Sequence, residues 1–370
     1  MQIVVIIIGT ISNIKPCMNN MKTVISIVGA RPQFIKLSPL SKRFIDNFNE
    51  IILHTGQHYN DNMSNKIFND LKIKKPDYNL NIGSASHGEQ TGKMIIEIEK
   101  IIIKTKPDVV IVFGDTNSTL AGALVASKLN IPSIHIEAGL RSFNMQMPEE
   151  INRITADHIC SYLFAPTQTA INNLENENLG VRSYLTGDIM VDTLWGNLEN
   201  ALTSSESMKK YNLTKNNYFL LTLHRPYNVD NPKKLINILE RLSSLPQKIV
   251  FPVHPRTRNT LKDNKINLSG ILFIEPQGYL DFLNLQYNAE KILTDSGGVQ
   301  KEAYILHKPC ITLRSETEWV ETITEGWNKL LNVEDFSLNE ITDFNPTHKP
   351  INLFGENPTD KMLEIIKRIL

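Results

Sequence analysis

Short apolar runs, each emptying into a polar cluster and then into helical periodicity, recur along most of the chain. Residues 23–28 (Thr-Val-Ile-Ser-Ile-Val) are the first, and their length and β-branching suit a strand buried on both faces of a parallel sheet. Similar runs stand at 51–54, 108–113, 133–136, 162–165 and 181–185. Between them the pattern predicts helices over 89–104 and 120–128 and from Pro148 to about residue 160. Pro76, Gly83 and Gly88 mark 71–88 as loop. Residues 204–217 are polar and nearly free of apolar periodicity, which places a boundary between Gly187 and Tyr218. A second alternation follows, with strands at 218–223, 248–253, 272–274, 291–294 and 311–313. Helices are expected from Tyr279 and over 299–307, and Asn357-Pro358-Thr359-Asp360 caps a last one over 361–370.

Alternating strands and helices predict an α/β fold, and 370 residues exceed one ordinary core. The expectation is two Rossmann-like, doubly wound domains facing across a cleft, 21–187 and 188–357. Cleft closure then needs hinges near 187–205 and before Asn357. Residues 1–20 read as an extension outside the fold. Their apolar run from Ile3 to Ile8 lacks a positive leader and is too short to span a bilayer, whereas Met21-Lys22 opens naturally onto the first strand.

Composition narrows the function. Lys plus Arg and Asp plus Glu both number 39, so no net charge draws the chain to nucleic acid or an anionic membrane. Cys17, Cys160 and Cys310 stand far apart without metal-ligand spacing, which fits a reducing, cytoplasmic setting and no metal site.

In a doubly wound sheet the polar clusters after the strands share one edge. Asp115 and Glu137 arrive at strand ends and Glu149 at a helix start, with Arg141 and Arg153 beside them. A single such acid is ordinarily a cap; three together suit proton donation and abstraction, because crowded carboxylates raise each other's pKa. Arg31 and Lys36 flank the first strand's mouth, where an anion docks at a helix start. On the other half, Ser296-Gly297-Gly298 sits at a strand-to-helix turn whose free N–H groups suit a phosphate. Glu302 follows about one turn later, within reach of a ribose diol. His224, Arg225 and Arg314 gather on the same edge. A ligand with a diphosphate at one end and a sugar at the other fits both edges. The chain lacks Gly-x-x-x-x-Gly-Lys-Ser/Thr and a Gly-x-Gly-x-x-Gly after the first strand, which argues against an ATPase or a dinucleotide oxidoreductase.

Several motifs occur in order: Gly29-Ala30-Arg31-Pro32-Gln33, Gly114-Asp115-Thr116-Asn117-Ser118-Thr119, His135-Ile136-Glu137-Ala138-Gly139-Leu140-Arg141, Pro148-Glu149-Glu150-Ile151-Asn152-Arg153, Thr186-Gly187-Asp188, His224-Arg225, and Thr294-Asp295-Ser296-Gly297-Gly298-Val299-Gln300-Lys301-Glu302. Together they resemble the non-hydrolysing UDP-N-acetylglucosamine 2-epimerases from Met21 to the C-terminus. The resemblance implies the glycosyltransferase-B architecture with UDP-sugar in the cleft and 358–370 crossing back to the first domain. It implies that Asp115, Glu137, Glu149 and His224 are catalytic. Arg31, Ser296, Gly297, Gly298, Glu302 and Arg314 would bind UDP, with Lys36 and Arg153 lining the site. It also implies C2 inversion without cofactor or metal, by elimination of UDP to a 2-acetamidoglucal and re-addition, in a cytoplasmic homodimer serving polysaccharide biosynthesis. Which acid donates and which abstracts the proton stays open.

The chain departs from the commoner family pattern at Ala30 and Gln33, at Tyr227-Asn228, and at Ser315-Glu316-Thr317-Glu318-Trp319. These variants resemble the branch acting on UDP-2,3-diacetamido-2,3-dideoxyglucuronate, so the substrate's C3 and C6 substituents stay open. Gln57-His58 is present without its usual neighbours, so substrate activation does not carry over. A glycosyltransferase on the same fold is the rival enzyme, although no acceptor groove is evident. A non-catalytic nucleotide-sugar sensor would keep Gly297, Gly298 and Glu302 but has no need of the acids.

Overall fold

The apolar run at Thr23–Val28 forms β1, buried along all but its first residue, at the middle of a parallel sheet. The structure is a computed structural model describing residues 21–56, 68, 70–264, 266 and 268–370. The proposed extension at 1–20, with Cys17, and the Gln57-His58 pair lie outside the described residues. After β1 come α1 (Arg31–Phe44), β2 (Asn49–His54), β3 (Tyr78–Asn79), α2 (His87–Thr105), β4 (Val109–Phe113), α3 (Asn117–Lys128) and β5 (Ser133–Ile136). Then follow α4 (Pro148–Ile159), β6 (Tyr162–Ala165), α5 (Gln168–Asn176), β7 (Ser183–Leu185) and α6 (Met190–Ser204). The second half runs β8 (Phe219–Thr222), α7 (Pro232–Ser243), β9 (Ile249–Pro252), α8 (Pro255–Asp263), β10 (Ile271–Ile274), α9 (Tyr279–Asn288) and β11 (Lys291–Thr294). It ends with α10 (Gly297–Ile305), β12 (Cys310–Thr312), β13 (Asn328–Leu330) and α11 (Pro358–Ile369).

The two sheets run β3-β2-β1-β4-β5-β6-β7 and β10-β9-β8-β11-β12-β13, with every ladder parallel. Both reverse direction after the third strand from one edge. The crevices therefore open beyond β1 and β4 in one sheet and beyond β8 and β11 in the other. No internal repeat is visible in the sequence, because the same topology is built from unrelated residues.

Differences from the expected elements have local causes. The segment 71–88 contributes β3, whose two residues are too few for periodicity to register, and the start of α2. Helix α3 begins at Asn117 rather than residue 120 because Thr116 caps it, its hydroxyl accepting from the Thr119 N–H. Ser296 does the same for α10, which therefore includes both glycines. Helices α5 to α8 and strand β13 were not marked out by the pattern.

Helix α6 joins the halves. Met190, Leu194, Leu198 and Ala201 bury into a core that continues from the first sheet to Tyr279 and Leu283 of α9. Helix α11 packs on α1, and its Thr359 N–H bonds Asp192 of α6 at 2.8 Å. The second sheet has its own apolar layers on both faces. Among the described residues no helix is long and apolar enough to cross a membrane.

Candidate active site

The turn after β4 presents Asp115. Its backbone carbonyl accepts from Asn152 of α4 at 2.9 Å, and its carboxylate pairs with Arg153 on the same helix. Arg153 is anchored in turn by the fully buried Glu150 at 2.7 Å. Glu150 also accepts from the N–H groups of Ser142 and Phe143, so it ties down the loop before α4. Burial alone would push the Asp115 carboxyl up. Arg153, Lys36 and Arg225 of the second half outweigh it and hold the carboxyl below its ordinary value. The expected mutual raising by neighbouring acids is thus corrected at Asp115, where cations dominate.

Glu137 follows β5 with φ at 73°, a left-handed conformation that costs a non-glycine residue about 1–3 kcal/mol. Lys36 of α1 bonds one carboxylate oxygen, and Lys301 of α10 bonds the other at 2.6 Å. Lys301 also reaches Asp188 at 2.6 Å. Burial, reinforced by Lys301, brings the Lys36 ammonium down to about 8. Glu149, in the first turn of α4, is half-buried, and its carboxylate makes no hydrogen bond or ion pair among the described residues. Arg141 does not join these acids. It is buried against Asp157 and Glu177, each at 2.7 Å, and Asp157 also holds His135.

Across the cleft, the fully buried Asp295 ends β11 and organises the turn after β8. It accepts from the N–H groups of His224 and Arg225 and from Asn228, and lies 3.1 Å from His224 Nδ1. The His224 side chain is 54% exposed and faces open space. At the start of α10, the Glu318 carboxylate lies so close to Gly297 that a Cβ there would stand 1.9 Å from Oε1. Arg314 pairs with that carboxylate at 3.0 Å. A carboxylate thus occupies the positive end of the helix, where the pattern predicts a phosphate. Deeper in α10, Glu302 accepts from Gln286 at 2.7 Å. Burial raises its carboxyl above the ordinary value, against that bond and the charges of Lys301 and Arg31. Arg31 crosses from α1 to the Gln277 carbonyl at 3.2 Å.

The structure therefore gathers Asp115, Glu137, Lys36 and Arg153 on the first sheet's edge. It sets His224, Ser296, Gly297, Gly298, Glu302 and Arg314 on the second. Arg31 and Lys301 link the two. Lys301, Asp188, Asp295, Glu150 and Glu318 were given no role from the sequence, although each lies within one of the segments singled out there. Gln33, a departure from the commoner pattern, laces the first crevice. Its amide accepts from the N–H groups of Gly29 and Ala30 and donates to the Phe113 carbonyl and Thr119.

The profile of the UDP-N-acetylglucosamine 2-epimerase family matches residues 43–345. A Methanococcus maripaludis protein described as a UDP-N-acetylglucosamine 2-epimerase homolog is 50% identical over 357 residues, 94% of this chain and 99% of that one. A UDP-2,3-diacetamido-2,3-dideoxy-D-glucuronate 2-epimerase of Pseudomonas aeruginosa is 48% identical, covering 83% of this chain and 88% of its own. The crystal structure of Methanocaldococcus jannaschii UDP-GlcNAc 2-epimerase in complex with UDP-GlcNAc and UDP superposes with a TM-score of 0.85 at 48% identity. It covers 94% of this chain and 99% of that one. A fold of two parallel α/β sheets, the motifs along both crevices and these similarities converge on one conclusion: the chain belongs to the UDP-N-acetylglucosamine 2-epimerase family.

Proposed function

We propose that the chain inverts C2 of a UDP-linked 2-acetamido sugar, interconverting UDP-GlcNAc and UDP-ManNAc. UDP lies on the second sheet's edge, held by Ser296, Gly297, Gly298 and Arg314, with Glu302 on the ribose and Arg31 reaching across. The sugar then faces Asp115, Glu137, Glu149 and His224, with Lys36 and Arg153 lining its pocket. A carboxylate takes the C2 proton, the C–H pair becomes the C1–C2 double bond, and UDP leaves with the C1–O pair. Re-addition of UDP with protonation of the opposite face completes the inversion. General acid–base groups and preorganised cations are what this chemistry requires. Asp115 and Glu137 are held by cations and Glu149 has no ion-pair partner among the described residues, and any of the three can be the carboxylate that exchanges the proton.

The observation carrying this reading is the Lys301–Glu137 contact, which brings the acids of one sheet against the phosphate-binding helix of the other in a chain of this family. The division of the chain into 21–187 with 358–370, and 188–357, belongs to the same reading. So do a cytoplasmic setting and a homodimer, the latter tested by sedimentation velocity. Proton NMR with UDP-GlcNAc in D2O tests the chemistry. Deuterium at C2 with a new UDP-ManNAc anomeric signal supports it, and no exchange refutes this substrate.

A second reading keeps the mechanism and changes the sugar to UDP-2,3-diacetamido-2,3-dideoxyglucuronate. The Pseudomonas relative of that name, at 48% identity, and the departures at Tyr227 and Trp319 favour it. Exchange with that nucleotide alone would select it.

A further inference from the structure

Lys301 precedes Glu302 on α10, yet its side chain leaves the second domain and is only 2% exposed. Its ammonium lies 2.6 Å from Glu137 Oε1, 2.6 Å from Asp188 Oδ2 and 4.6 Å from the centre of the Trp319 ring. A buried ammonium must be paired. The contact with Asp188 is an ion pair without hydrogen-bond geometry, whereas the hydrogen bond of the ammonium goes to Glu137, across the cleft. Lys36 of α1 takes the other Glu137 oxygen, so each domain's cation holds one oxygen of a carboxylate whose own backbone is strained. Each carboxylate oxygen has two lone pairs, so one acceptor position on each stays open to a substrate proton.

We infer that Lys301 is a positioning residue: from the second domain it fixes the Glu137 carboxylate in place and in its ionised form, so the acid is complete only when both halves of the cleft meet. The inference rests on the C2 epimerase reading for its link to turnover. The groups facing this carboxylate are Lys36 from α1, Lys301 from α10 and Asp188 from the turn after β7, with Asp115 and Arg153 acting on Lys36. Two ammonium groups against one carboxylate favour its charged form, and removing one shifts its titration upward.

The test uses the full chain, with Lys301→Met, Lys301→Gln and Lys301→Arg. Selectively 13C-labelled glutamate, assigned through Glu137→Gln, reports the Glu137 carboxylate directly and needs no turnover. Its titration midpoint is expected to rise by about 1 pH unit or more in Lys301→Met and to stay near wild type in Lys301→Arg. An unchanged midpoint in Lys301→Met overturns the inference whatever the substrate proves to be. For turnover, kcat is expected to fall about 100-fold with its acid limb moved upward, while UDP affinity by calorimetry stays within about threefold. Lys301→Arg recovers most of the loss. On a Glu137→Gln background, Lys301→Met is expected to add less than about twofold. A fully additive loss, or equal losses of UDP binding and kcat, would show a structural role instead. Lys301→Gln supplies the same measurements if the methionine variant does not fold. Wild-type protein without C2 exchange on either nucleotide refutes the epimerase reading while leaving the NMR midpoint to judge Lys301.

Discussion

The two sheets share a strand order and differ at their edges. Beyond β4 and β5 the first carries two carboxylates gripped by cations: Asp115 by Arg153, and Glu137 by Lys36 and Lys301. Beyond β8 and β11 the second ends in glycines, a capped helix start and Arg314, with its buried acid, Asp295, turned inward to hold the His224 turn. The shared strand order thus leaves the crevice in the same place, and residue type sets what each edge offers: cation-held carboxylates on one, a capped helix start and an arginine on the other. On the first edge cations hold Asp115 below its ordinary value and pair with Glu137, and on the second Asp295 sets backbone and histidine.

The largest effects should separate the edges by function. Asp115→Asn and Glu137→Gln are expected to lower kcat by about 10²–10⁴-fold, because in the proposed reaction each is a proton-transfer group, with UDP affinity by calorimetry almost unchanged. Arg314→Met should do the opposite. Losing a charged contact weakens UDP binding by about 10–100-fold and leaves saturated kcat within about threefold.

The Lys36 ammonium sharpens the contrast through pH. It is charged below about 8 and neutral above, so if it holds Glu137 the kcat profile has an alkaline limb near pH 8. Lys36→Arg should move that limb upward. Stability runs the other way. The folded value lies below the unfolded one of about 10.4, so the unfolded chain binds more protons between the two, and this residue's contribution rises with pH across that window. Urea unfolding at pH 7.5 and 9.5 reads the stability trend in wild type against Lys36→Met.

The smallest effect tests the carboxylate at the start of α10. Glu318 competes with a diphosphate for Arg314 and for the helix end, so Glu318→Gln is expected to tighten UDP binding by about threefold. Weaker binding would mean that Glu318 serves by orienting Arg314.

Much of this layout is legible in the sequence, for reasons that are local. A run such as Val109–Phe113 is apolar at every position, and Pro148 marks a helix start through its own backbone preference. Acids at strand ends follow from the alternation alone. What pairs with them does not. Lys301 and Glu137 stand 164 residues apart, and nothing local announces that the lysine beside Glu302 turns away from it into the other domain. Arg141 shows the converse. It lies four residues after Glu137, yet its guanidinium turns to Asp157 and Glu177, because sequence proximity does not give a side chain its direction. Helix α6 lies in the stretch between Gly187 and Tyr218 assigned to the boundary, although Met190, Leu194, Leu198 and Ala201 recur at helical spacing.

The division between the edges is tested most directly by reading C2 deuterium incorporation and UDP affinity side by side on Asp115→Asn and Arg314→Met. Asp115→Asn should lose the exchange and keep UDP, while Arg314→Met keeps exchange at saturating nucleotide and loses affinity. Parallel loss of both properties in both variants would contradict it.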